Sequence, residues 1–75
     1  SNLYMVDGSA AIRYINRRFK LELSEEHVNT LAGFLLHLLG SIPEVGDVCE
    51  AGGVRFTVRE VEDRRIEQIE MRLPD

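Results

Sequence analysis

An α+β fold is predicted by three features of the 75-residue sequence. Up to Pro43 the apolar residues recur at helical spacing, whereas after Gly46 they alternate with polar ones. One apolar stretch, Thr30 to Leu39, is flanked by helix start and stop signals. Two turn signals, Gly52-Gly53 and the polar run 62–65, divide the alternating half into hairpins. The expected order is a strand, two helices, then a three-stranded antiparallel meander, with the second helix lying across the sheet.

The first strand is Leu3-Tyr4-Met5-Val6. Asp7-Gly8-Ser9 reads as a turn ending in a helix-capping residue, after which Ile12, Ile15 and Phe19 repeat at helical spacing with Ala11 beside them. Arg17, Arg18 and Lys20 gather at the C-terminal end, where the helix dipole favours positive charge. Arg13, Arg17 and Lys20 also share a stripe away from the apolar side. The plain reading of that stripe is a solvated face; the functional reading is a docking surface for a phosphate or an acidic partner.

For the second helix the sequence offers Ser24 as N-cap, Glu25 and Glu26 in the first turn, Gly40 as the stop and Pro43 as a bar to continuation. Val28, Leu31, Ala32, Leu35, Leu38 and Leu39 form one stripe, widened by Phe34 and Leu36, and leave Asn29, Thr30, Gly33 and His37 as a polar edge. An apolar arc of roughly half the circumference predicts burial on more than one side. A membrane span needs about twenty apolar residues, and this run is interrupted by His37 well short of that.

In the meander, Val54, Phe56 and Val58 alternate with Arg55, Thr57 and Arg59. A two-residue turn at Gly52-Gly53 pairs this strand with residues 47–51, placing Cys49 opposite Phe56 and Glu50 opposite Arg55. The second hairpin sets Val61 against Ile66, Val58 against Ile69, Phe56 against Met71 and Val54 against Leu73. The same register brings like charges together, Arg55 with Arg72 and Glu60 with Glu67, and the apolar phase slips between Val58 and Val61. A bulge at Arg59-Glu60 resolves the slip.

Length and composition fit one small domain, residues 3–75, with 44% apolar and 29% charged residues. Ser1 and Asn2 read as the remnant of a cleaved expression tag, and a chain that starts almost directly on a strand is expected to be a piece of a longer protein. A formal charge of −4 disfavours non-specific binding to nucleic acid or to anionic lipid. The lone Cys49 excludes an internal disulfide and suits a reducing compartment. No signal-peptide pattern is present at the start.

Several of these segments carry a family resemblance. Asp7-Gly8-Ser9-Ala10, Thr30-Leu31-Ala32-Gly33, Leu38-Leu39-Gly40, Ile42-Pro43-Glu44-Val45-Gly46-Asp47 and Phe56-Thr57-Val58 together resemble the CorC/HlyC transporter-associated domain, in the family's order and over nearly the whole chain. The resemblance implies a fold similar to part of PCMH-type FAD-binding domains. It also implies a place on the cytoplasmic side of the cell membrane, after a membrane region and a CBS-domain pair, in magnesium and cobalt efflux or hemolysin-like proteins. The implied role is to modulate ion transport, and no catalytic residues come with it.

The residues themselves point the same way. His27 and His37, read as ten positions apart on one helix, cannot share an ion, and the carboxylates near the turns do not form an oxygen cage. No metal ligand and no catalytic residue is therefore expected. Cys49 has no histidine partner and is placed on the apolar face, which makes it a poor nucleophile. A flavin- or nucleotide-binding module is the alternative, supported by fold similarity only; there is no G-x-G-x-x-G, and a hairpin turn accounts for Gly52-Gly53. The favoured reading is a non-catalytic interaction module with no cofactor of its own. Its partners would be the CBS pair and membrane region of its own polypeptide, or a second copy of itself, and its candidate surface is Arg13, Arg17 and Lys20.

Overall fold

Residues 2–74 are described by the computed structural model. The elements follow the predicted order: β1 (Leu3–Asp7), α1 (Ile12–Phe19), α2 (Leu31–Leu39), β2 (Val48–Ala51), β3 (Val54–Glu62) and β4 (Arg65–Arg72). The strands form one antiparallel sheet in the order β1-β4-β3-β2, so the first strand lies beside the last. Of the two residues read as tag-derived, Ser1 lies outside the described residues. Asn2 takes part in the fold, its carbonyl accepting the Leu73 amide at 2.9 Å.

Residues directly opposite each other in an antiparallel pair share a face. Phe56 opposes Met71 and Val58 opposes Ile69, as expected from the sequence, and with Val54 all are fully buried. Against them pack Ile12 and Ile15 of α1 and Leu31, Phe34 and Leu35 of α2, with the Phe34 and Phe56 rings edge to face at 6.1 Å. Among the described residues the buried core is wholly apolar.

The bulge falls where the apolar phase slips, with register shifts on both sides of Glu60. It changes one expected pairing. Glu60 opposes Gln68 rather than Glu67, which removes a like-charge contact, and Arg59 turns to Glu70, donating through Nε at 3.0 Å and Nη2 at 2.8 Å. Arg55 does oppose Arg72. The ladder between β3 and β4 ends there, so Leu73 packs on the core beyond the paired strands instead of opposing Val54.

The helix starts differ from the reading above, for one shared reason. Ser9 does not cap α1, because its amide and hydroxyl both donate to the Asp7 carboxylate, at 2.8 and 2.6 Å. Ala11 is the N-cap, without a side-chain bond, and the Ile12 amide donates instead to the Asn29 carbonyl at 2.9 Å. Ser24 does not cap α2 either; its hydroxyl closes a local turn with the Glu26 amide, and His27 adopts a left-handed φ of 64° that ends any helix there. Thr30 is the true cap, accepting from the Gly33 amide at 3.1 Å. The Leu31 and Ala32 amides reach back to the carbonyls of Ala10 and Gly8, at 2.9 Å each. Each helix thus begins where the other's approach segment supplies partners for its orphan amides.

Burial of α2 is also narrower than predicted. Leu31, Phe34 and Leu35 are buried, but Leu36 and Leu38 are 36% and 43% exposed, because a two-layer fold covers a helix from the sheet side only. Just before α1 the half-buried alanine is Ala10, while Ala11, the N-cap, is exposed.

Candidate interaction surface

The basic stripe lies on α1 and just beyond it. Arg13, Arg17 and Lys20 are all exposed. Arg13, near the start of the helix, has its Nε 3.5 Å from the Glu25 carboxylate, so part of its charge is answered within the chain. Lys20 is no longer helical. It is the left-handed C-cap, φ 56°, with its amide on the Asn16 carbonyl. Arg17 and Lys20 therefore stand at the C-terminal end of α1 together with Arg18, whose guanidinium lies 5.0 Å over the Phe19 ring. Phe19 in turn meets Tyr4 of β1 edge to face at 4.8 Å. This end of the helix is fixed by Asn16, whose side chain donates to the Leu23 carbonyl at 2.9 Å and accepts from its amide at 2.8 Å.

The motif residues behind the family resemblance serve the backbone. Gly8 is buried where α2 meets β4, and a side chain there would run into the Ile66 carbonyl and crowd Ala32. The loop before β2 is closed by reciprocal bonds: the Glu44 amide donates to the Asp47 carboxylate at 2.9 Å and the Asp47 amide to the Glu44 carbonyl at 3.0 Å. Gly46, at φ 99°, then donates its amide to Val58, 2.8 Å away, tying the loop to β3.

Among the described residues, no group of three or more His, Cys, Asp or Glu side chains comes together as metal ligands. His37 lies on α2 and His27 in the turn before it, so the two are not on one helix as read above. Cys49 is half-buried. Burial, assisted by the negative charge of Asp47, pushes its thiol pKa up, so the nucleophilic thiolate is disfavoured. Asp7 is shifted the other way: the Ser9 hydroxyl and then the Ser9 amide hold its carboxyl below the ordinary range. No helix among the described residues is long and apolar enough to cross a membrane.

The opposite face of the sheet carries a feature that the register announced but its cleft did not. Leu3, Arg72, Arg55 and Glu50 form a row across all four strands. Arg55 donates through Nε to Glu50 at 3.1 Å. Beside the row, the Gly52-Gly53 turn and the Leu73-Pro74 end enclose an open cleft of about 670 Å³. Its walls come from the β2–β3 hairpin and from both ends of the chain, which the pairing of β1 with β4 brings together.

Comparison with known proteins agrees with this architecture. A "UPF0053 protein" of Haemophilus influenzae is 41% identical over 64 residues, which is 85% of this chain and 15% of that protein. The magnesium and cobalt efflux protein CorC of Salmonella typhimurium is 33% identical over 96% of this chain and 25% of its own length. The chain thus spans a quarter or less of these relatives. In structure, a hemolysin domain from Enterococcus faecalis superimposes with a TM-score of 0.91 at 33% identity, covering 99% of this chain and 90% of that one. The family model for the CorC_HlyC transporter associated domain matches residues 1–75. The chain belongs to the CorC/HlyC transporter-associated domain family.

Proposed function

We propose that this chain is the accessory domain of a CBS-containing membrane ion transporter, and that it modulates magnesium or cobalt transport through protein–protein contacts on the cytoplasmic side. The observation that carries this reading is the pairing of family and proportion: the chain matches a quarter of the length of proteins named for magnesium and cobalt efflux. The basic end of α1 is the surface we assign to docking. Arg17, Arg18 and Lys20 lie there, with Tyr14 56% exposed on the same helix, and aromatic and arginine side chains are typical contact residues.

The test is binding of this chain to the CBS-pair region of the same polypeptide, at low and high salt. Changing Arg13, Arg17 and Lys20 together to Glu should leave the fold intact, since exposed charges contribute no more than about 1 kcal/mol each. Docking should weaken strongly at low salt, and the difference should shrink as salt rises, because exposed charges are screened over about 8–10 Å near physiological ionic strength. Equal affinities for parent and variant would remove the stripe from the docking surface.

A further inference from the structure

We propose that the cleft beside the Gly52-Gly53 turn binds a phosphate-bearing ligand, held by Arg55 and Arg72. The two arginines sit directly opposite each other in the β3–β4 register, an arrangement that destabilises a sheet when nothing lies between the charges. Elsewhere on these strands each arginine has an acid: Arg59 takes Glu70, Arg65 takes Glu67 and Arg55 takes Glu50. Arg72 alone among them has no carboxylate within ion-pair distance among the described residues. In a chain of formal charge −4, the row holds two guanidinium groups against one carboxylate.

The shape favours an occupant. Gly52 and Gly53, with φ of 59° and 80°, bring bare backbone to the cleft, and Pro74 packs beside Gly53 to form one side of it. The chemical class follows from the number of acceptor atoms. Glu50 already occupies the Nε of Arg55, which leaves that residue's terminal nitrogens and all of Arg72 to donate. A carboxylate is satisfied by one guanidinium fork. A phosphate monoester presents three oxygens and up to about two negative charges, so it can accept from both arginines at once.

A second cavity, about 500 Å³ between Asp7, Thr30 and Glu67, is a worse place for an anion. It contains two carboxylates against Arg65, and the first four amides of α2 are already bonded to Ala10, Gly8 and Thr30. The Arg55–Arg72 site lies on the sheet, away from the α1 stripe, and stands whether or not that stripe docks on a partner.

The experiment is titration of the isotope-labelled chain with inorganic phosphate at constant ionic strength, alongside sedimentation with phosphatidic acid vesicles. Saturable shifts are expected at the Gly52 and Gly53 amides and the Nε–H groups of Arg55 and Arg72. Arg72→Gln should weaken binding by about tenfold or more, the loss expected for hydrogen bonds to a charged group. Glu50→Gln should tighten it by removing the competing negative charge beside Arg55, and Arg17→Gln should change nothing. Because Arg72→Gln removes a like-charge contact, its melting temperature should not fall, so lost binding is not lost fold. Co-sedimentation that Arg72→Gln abolishes would place the phosphate on a lipid; saturable phosphate shifts without co-sedimentation would place it on a soluble ligand. No saturable shift at these residues, or unchanged phosphate affinity in Arg72→Gln, overturns the proposal.

Discussion

Leu35 and Leu38 lie one helical turn apart on α2, yet one is fully buried and the other 43% exposed. Leu35→Ala should therefore cost about 2–5 kcal/mol, as large-to-small core changes do, a dangerous share of the roughly 5–15 kcal/mol that holds a small domain. Leu38→Ala should stay within about 0.5 kcal/mol, as exposed substitutions usually do. Denaturant melts of the two variants check both; similar losses would mean that α2 is covered on both sides. Asp7 offers a prediction in pH. Its carboxyl is depressed in the folded chain by the Ser9 hydroxyl and amide. A depressed acid stabilises the fold above its unfolded pKa and loses that contribution as pH falls through the folded value. Asp7→Asn should accordingly melt below the parent at neutral pH, with the gap closing in strong acid. A gap that is constant with pH would remove the charge from the explanation.

At the scale of elements, the observed cap of α2 and the one expected from the sequence separate cleanly. Thr30→Ala removes the bond to the Gly33 amide and should cost about 0.5–2 kcal/mol. Ser24→Ala loses only an exposed turn contact and should cost less than about 0.5 kcal/mol, by the same melts. The strands were legible because their signals are local. Alternation fixes the face, the Gly52-Gly53 pair fixes one turn, and the slip between Val58 and Val61 marks the bulge. The start of α2 was not legible. In isolation Ser24 is the better cap, and the choice of Thr30 is made by the Gly8 and Ala10 carbonyls, which meet the helix only in the folded chain. The same limit applies to the surfaces. The composition of the stripe could be read directly, but Glu25 as partner of Arg13 could not. The apposition of Arg55 and Arg72 followed from register, while the cleft beside them needed Leu73 and Pro74 brought to the edge by β1.

For the molecule as a whole, the scatter of its carboxylates bears on divalent cations. Glu25, Glu50, Glu67 and Glu70 are each engaged with an arginine, and no three potential ligands converge among the described residues. Calorimetric titration with magnesium or cobalt should show no saturable heat in the micromolar range, since tight sites gather six or so oxygens around the ion. A stoichiometric, chelator-reversible rise in melting temperature would contradict this.

The antiparallel neighbours β1 and β4 also determine how the domain answers to mechanical load. Leu3 opposes Arg72, so the first strand begins where the last one ends. The hydrogen bonds between them run perpendicular to the strands. Tension applied through the two ends would meet these bonds one pair at a time, peeling β1 from the edge like a zipper instead of shearing the whole ladder at once. The domain should give way at low force and re-close when slack returns. If its longer relatives pull on this domain as they change shape, it would yield before transmitting much of the strain.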